Sequence, residues 1–376
     1  MSAPPPVYVN TPEGLARALR ALADAEFIAI DTEFMRESTF YPKLCLVQLA
    51  SLDYCVLVDP LAIEDLDSLW SFLSARSRVK VLHAARQDLE VLAVRAPHAI
   101  PLTPIFDTQI AAALLGQSAQ IGYGALVSLR LGVSLAKGHT RTDWSRRPLS
   151  EDQLEYAADD VRYLARLYVD LRAALENAGK LDWLRQEVVE LEQIDTFETD
   201  PRYAWRRLRG LDRLRPEQRA TAKLLASWRE ELAVRHDKPR GWILADEALR
   251  EISERMPKDS DALAKVRGLP EGVIRRRGTE LLEIVARGEQ MKASEMDVQR
   301  PTRPEPSQLA LVTKLMKFVR GHAQSLEVCP ELLSTRRDIE QLVFSGKTEH
   351  LLEGWRRETV GERLIALLEA EKAREP

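Results

Sequence analysis

Asp31 and Glu33 stand two residues apart at the end of the strand-like run EFIAIDTEF (26–34). On a strand, residues i and i+2 face the same way, so the two carboxylates share one side. Two acids together after the apolar FIAI are costly unless a positive group neutralises them, and no Lys or Arg lies in that run. A hard divalent cation is the natural partner, because such ions prefer carboxylate oxygen. The plainer alternative is a strand that ends at the surface in solvated acids. Asp88 follows the run RVKVLHA (78–84) at a strand-to-helix junction. Such junctions lie at the carboxyl edge of a sheet, where sites in open α/β folds collect, although the helix dipole alone also favours an acid in a first turn. Tyr156 and Asp160, in EYAADDVRYL, are i and i+4 on a helix and share a face. Asp159 competes with Asp160. The latter lies nearer the apolar side marked by Val161, Leu164 and Tyr168, but spacing alone does not separate them. Each piece is weak. Together they make an ordered set, D-x-E, D and Y-x₃-D, on a strand, a junction and a helix.

The elements that must position this set can be read along the chain. Three strand-like runs fall within 26–60, with Ser51–Asp53 as a turn, and predict an antiparallel meander. Residues 64–74 and 87–95 read as helices, 105–107 as a short strand, and Thr108–Leu115 as a helix ending at Gly116. Ser150 and Gln153 predict a capping box that starts the helix of Tyr156 and Asp160. A mixed α/β domain over 1–202 follows. Beyond it apolar residues recur at helical spacing through 216–235, 243–255, 260–266, 271–288, 307–321, 335–343 and 358–372, with no clear strand. A Pro- and charge-rich stretch marks a linker over 293–306. The expected order is therefore helical units at 203–292 and 307–376. Trp205, Trp228 and Trp242 read as helical core.

The 376 residues carry a net charge of −4, with 45% hydrophobic and 30% charged residues. That is too apolar for a disordered chain. No apolar run reaches the ~18–20 residues of a membrane span, and the N-terminus lacks a basic-then-apolar leader. Cys45, Cys55 and Cys329 have no metal-ligand spacing and read as free thiols of a reduced, cytoplasmic protein. The near-neutral total hides two halves. Residues 1–200 hold 19 Lys+Arg against 29 Asp+Glu, a net of −10, and 201–376 hold 35 against 29, a net of +6. Within 201–242 the balance is 12 to 5. A local basic excess on long helices is common, yet it also fits contact with nucleic acid.

Five motifs together, FIAIDTEF, VLHAARQDLEVL, IFDTQIAAALLG, RTDWSRRPLS and EYAADDVRYL, resemble the ribonuclease D family of DEDD exonucleases, Y-x₃-D subtype. The segment 236–270 resembles an HRDC domain, and 331–358 resembles a second, degenerate copy. The resemblance implies a ribonuclease H-like exonuclease core followed by two all-α HRDC domains. It implies a 3′–5′ exoribonuclease that trims structured RNA such as precursor tRNA and releases nucleoside 5′-monophosphates; a single chain with three linked domains is expected to work as a monomer. It resolves the local ambiguity in favour of Asp160, and assigns Asp31, Glu33, Asp88 and Asp160 as ligands of two divalent ions, Mg²⁺ or Mn²⁺. Four carboxylates supply the charge to hold two dications, which can stabilise the attacking and leaving oxygens of phosphodiester hydrolysis. Tyr156 would orient the attacking water, because a phenol of ordinary pKa ~10 is a poor base. Lys137, Arg141, Trp144 and Arg147 form a basic segment with a tryptophan, suited to phosphate contacts and base stacking; core anchoring is the alternative for Trp144. Asp107 reads as a helix cap, and His83 as a buried, hydrogen-bonded side chain. A DNA exonuclease would carry the same acids. A non-enzymatic RNA scaffold would have lost one of them, and all are present.

Overall fold

The computed structural model describes residues 5–96, 101–136, 138, 142–193, 200–291 and 304–373. Six strands form one sheet: β1 (Pro6–Val9), β2 (Phe27–Met35), β3 (Lys43–Ala50), β4 (Cys55–Val58), β5 (Val79–Leu82) and β6 (Ile105–Asp107). Their order is β1-β4-β3-β2-β5-β6. β3 and β4 pair antiparallel, with Val47 opposite Val58, as the short turn between them requires. β1 joins β4, β5 joins β2 and β6 joins β5, all parallel. The sheet is thus mixed. β3 is buried from Leu44 to Ala50, on both faces, which explains an apolar run interrupted only by the buried Gln48. β1 is only four residues long and does not stand out by periodicity.

Helices cover the sheet: α1 (Pro12–Ala21), α2 (Asp67–Ser74), α3 (Arg86–Arg95), α4 (Thr108–Leu114), α5 (Tyr123–Leu131), α6 (Glu151–Asn177) and α7 (Leu181–Glu187). The capping box of α6 is formed. Ser150 Oγ accepts from the Gln153 N–H at 3.2 Å, and Gln153 Oε1 accepts from the Ser150 N–H at 2.9 Å. With 27 residues, α6 reaches across β1, β2, β4 and β5. Its buried stripe includes Val161, Leu164, Leu167 and Leu171, each side chain contributing roughly 1.5–3 kcal/mol on burial.

The chain divides into two compact units, one of residues 1–35, 44–197 and 304–376, the other of 36–43 and 198–303. The second holds a 3₁₀ segment (Pro201–Arg207), α8 (Pro216–His236), α9 (Arg240–Ile243), α10 (Asp246–Arg255), α11 (Ser260–Ala264) and α12 (Glu271–Gln290). Leu225, Ala226, Leu249, Ile252, Leu281 and Val285 form its core. Gly288 lets α8 and α12 touch, since a Cβ there would fall 2.0 Å from Thr221 Oγ1. The Asp237 carboxylate accepts the N–H groups of Phe40 and Tyr41, each at 3.0 Å. Trp205 and Trp228 pack against this core. Trp242 does not: its position in a one-turn helix leaves it 63% exposed, contrary to the expectation from sequence.

Residues 304–376 form α13 (Pro306–Ser325), α14 (Pro330–Leu333), α15 (Arg336–Ser345), α16 (Gly354–Arg356) and α17 (Glu362–Lys372). Val312, Leu315, Ile339 and Leu364 belong to the same apolar core as the sheet. The junction with the sheet domain is polar as well. Lys180 is 6% exposed and its Nζ donates to the carbonyls of Leu114 (3.0 Å), Leu326 (2.7 Å) and Glu327 (3.0 Å). Trp183 and Trp355 stack with centroids 4.4 Å apart. Arg356 donates twice to Glu187, at 2.5 and 2.6 Å. Lys180→Met removes the one donor that the carbonyls of Leu114, Leu326 and Glu327 share and is expected to cost about 2–4 kcal/mol. Chemical unfolding of the full chain checks it; an unchanged midpoint would show that the carbonyls are satisfied otherwise.

Candidate active site

Asp31, Glu33, Asp88, Tyr156 and Asp160 line one cavity of about 1200 Å³ in the first unit. β2 presents Asp31 and Glu33. Asp88 enters from the first turn of α3, and its Oδ1 accepts from Thr32 Oγ1 at 2.5 Å. Tyr156 and Asp160 come from α6 and are hydrogen-bonded to each other, the phenol donating. Asp159 lines the cavity too, but its carboxylate is paired: Arg162 donates to it at 3.2 Å, and its backbone carbonyl accepts from Tyr123 Oη at 2.9 Å.

Asp107 fixes the approach of α3. Its carboxylate caps α4 through the N–H groups of Gln109 (2.8 Å) and Ile110 (3.2 Å). It also accepts from the N–H groups of Ala84 (3.3 Å) and Ala85 (2.8 Å) in the turn between β5 and α3. Ala84 has φ 54°, a left-handed conformation that a residue with a Cβ adopts at a cost, and the Asp107 bonds offset it. His83 beside it is bonded to Thr108 Oγ1 (3.0 Å) and the Ile121 carbonyl (3.1 Å). Burial lowers its pKa. It is a neutral wall of the cavity.

No lysine or arginine lines the cavity among the described residues. The acids accordingly resist ionisation. Burial, then the charges of Asp88, Asp160 and Glu33, hold Asp31 well above the usual carboxylate range. Burial and the charges of Asp160 and Asp88 push Glu33 up to about 9. Burial raises Asp88 to about 6, against the Thr32 hydrogen bond, and Asp160 to about 7 together with the charges of Asp159 and Asp88. An all-oxygen donor set with uncompensated negative charge fits hard divalent cations. Among the described residues no three such side chains stand in ligating geometry around one point.

Residues 6–176 match the 3′–5′ exonuclease family model, and 218–285 match the HRDC domain model. Ribonuclease D of Gluconacetobacter diazotrophicus is 39% identical over 369 residues, covering 97% of this chain and 93% of its own. The chain belongs to the ribonuclease D family. Ribonuclease D of Pseudomonas paraeruginosa is 36% identical over 98% of this chain and 99% of its own. The crystal structure of Escherichia coli RNase D, described as an exoribonuclease involved in structured RNA processing, matches with a TM-score of 0.85 at 32% identity, over 98% of this chain and 99% of that one. The chain is a 3′–5′ exoribonuclease with an HRDC domain.

Against this family frame, two expected RNA contacts have other partners. Trp144 is 3% exposed and packs its ring 6.1 Å from that of Tyr156. Arg147 donates to both oxygens of buried Asp59 (2.6 and 2.7 Å) and to the carbonyls of Cys45 and Trp144 (both 2.7 Å). An indole without an open face cannot stack on a base, and a guanidinium so engaged is a clamp of the fold. Lys137 and Arg141 lie outside the described residues. Thr32 and Tyr123 line the cavity too. Thr32 carries no sequence signal beyond its place between two acids, and Tyr123 sits in a stretch without charge.

Asp107→Ala is expected to destabilise the protein by about 3 kcal/mol and to lower turnover, because α3 and Asp88 lose their register. Unfolding and kinetics at saturating RNA check it; wild-type turnover at full occupancy would separate the cap from the site. The raised acids also set a pH trend. Unfolded, they titrate near 3.8 and 4.5; folded, near 6 for Asp88, 7 for Asp160 and 9 for Glu33. The folded state holds the extra protons, so their contribution is full below about pH 4 and is lost as pH rises to about 9. In chelator, the melting temperature should fall across that window more steeply than in the Asp160→Asn variant. Equal slopes would mean that Asp160 ionises freely in the native protein.

Proposed function

We propose that this exoribonuclease cleaves at the cavity of Asp31, Glu33, Asp88 and Asp160, which would hold two divalent ions, Mg²⁺ or Mn²⁺. The observation that carries the reading is the gathering of these four acids and Tyr156 in one cavity. Bound ions would supply neutralising charge to the phosphodiester as it is displaced in line. The chain's own groups do the positioning. Thr32 steadies Asp88, and Trp144 backs the ring of Tyr156. The Tyr156 phenol, bonded to Asp160, is kept protonated by burial and by the charges of Asp160, Glu33 and Asp31. A protonated phenol can orient a water but not take its proton. Nucleoside 5′-monophosphates would leave from the 3′ end.

The substrate we infer is structured RNA with a single-stranded 3′ end, precursor tRNA included. Lys137 and Arg141 are retained as candidate phosphate contacts. The domain reading is a nuclease over 1–202, an HRDC domain over 203–292 and a second, degenerate copy over 307–376, acting together as a monomer. Among the described residues no helix is long and apolar enough to cross a membrane, and Cys45, Cys55 and Cys329 form no disulfide. Both facts are consistent with work in the reducing cytoplasm.

Tyr156→Phe should lower turnover at least a hundredfold, on the scale of about 10²–10⁴ for a positioned proton-handling group, with RNA affinity nearly unchanged. Single-turnover hydrolysis and binding in chelator separate the two effects. For the whole reading, 5′-labelled RNA and DNA are incubated with Mg²⁺, Mn²⁺ or EDTA. Mononucleotide release from RNA alone, and only with metal, supports it; RNA left intact with either ion would sink it.

A further inference from the structure

Trp242 is the most exposed large hydrophobic side chain among the described residues, at 63%, and Tyr203 follows it among the aromatics at 51%. Each carries a cation on its ring. Lys238 Nζ lies 5.7 Å from the Trp242 centroid, and Arg206 Cζ lies 4.5 Å from that of Tyr203. The two aromatics stand on neighbouring segments. Arg207, one turn beyond Tyr203, and Arg240, two residues before Trp242, both bond the single carboxylate of Glu230.

The acids of this face are turned inward or already engaged. Glu230 is 1% exposed beneath Arg207 and Arg240. Asp200 is held by Arg202 at 2.6 Å. Asp237 Oδ1 accepts two backbone N–H groups. Neither Lys238 nor Arg206 pairs with a carboxylate among the described residues. What faces water is therefore two aromatic rings and two available cations, in the segment with the 12-to-5 basic excess.

We propose that Tyr203, Arg206, Lys238 and Trp242 form a contact site for single-stranded RNA on the HRDC-bearing unit. The rings stack on bases and the two cations meet the flanking phosphates. The proposal rests on the ribonuclease reading above and names where this unit meets the substrate. Stacking on an exposed ring is indifferent to base identity, since every base has a π-face. The cations contribute through counterion release, which makes binding depend on salt. A folded protein partner would want a contiguous apolar area; here the rings are capped by charges, which suits a polyanion with planar groups.

The test uses the full chain in EDTA, so that binding is read without hydrolysis. The probe is a fluorescein-labelled RNA hairpin with a single-stranded 3′ tail, followed by anisotropy. Trp242→Ala should weaken binding about tenfold, as expected for one lost stacking contact, and Trp242→Phe should restore most of it. Lys238→Gln and Arg206→Gln should each lower the slope of log affinity against log salt by about 1. Turnover of a dinucleotide with Mg²⁺ is the control for an intact active site in every variant. Unchanged affinity and salt slope in the Trp242 and Lys238 variants would overturn the site while leaving the ribonuclease reading intact. Wild-type protein that neither binds the hairpin nor degrades RNA would remove both. Loss of affinity in Trp242→Ala that phenylalanine fails to restore would exclude stacking.

Discussion

Asp31, Glu33, Asp88 and Asp160 repel one another inside a cavity that no described lysine or arginine lines. Most of the surrounding polar contacts can be understood as the means by which the fold tolerates that repulsion. Thr32 anchors Asp88, and Asp107 ties the start of α3 to the start of α4. Arg147 binds the segment before α6 to Asp59, beyond β4, and to β3. Arg162 pairs with the Asp159 carboxylate, and Tyr123 donates to the Asp159 backbone carbonyl. None of these contacts brings a positive charge to the four acids, and only Thr32 bonds one of them directly. A lysine inside the cavity would have stabilised the empty protein and competed with any cation the acids are there to bind.

The parts legible in the sequence are those governed by local spacing. Helical periodicity after residue 200 corresponds to α8, α10, α12, α13, α15 and α17 within a few residues, and the Ser150–Gln153 box starts α6. The i, i+2 spacing of Asp31 and Glu33 and the i, i+4 spacing of Tyr156 and Asp160 brought all four side chains to one cavity. What escaped was decided by long-range packing. Trp144 and Arg147 look alike in kind to an RNA-binding segment, and only the partner at Asp59, 88 residues away, reveals a clamp. Trp242 has the residue type of a core anchor, yet α9 is one turn long and cannot bury it. No periodicity announces that 304–376 shares an apolar core with the sheet.

The two halves of the chain, 1–200 and 201–376, also divide the chemistry by sign. The half with the active site is net negative, and the helical half begins with its strongest basic excess. A near-neutral chain of this kind can host a polyanionic substrate because the opposite charges are sorted by domain rather than mixed. Within the basic stretch Glu230 is spent on internal ties to Arg207 and Arg240. Sorting thus extends below the level of domains, to which side chains face inward.

Lys180 has a consequence in time as well as in space. Two of its three acceptors, Leu326 and Glu327, lie 146 and 147 residues downstream. At a synthesis rate of about 5–20 residues per second, the ribosome makes the ammonium group roughly 7–30 s before those carbonyls exist. Throughout that interval α7 lacks the Trp355 ring that stacks on its Trp183, and the Ala113 carbonyl of α4 lacks the Cys329 N–H. Until residues 304–376 are made, the sheet domain lacks the part of its apolar core that Val312, Leu315, Ile339 and Leu364 supply.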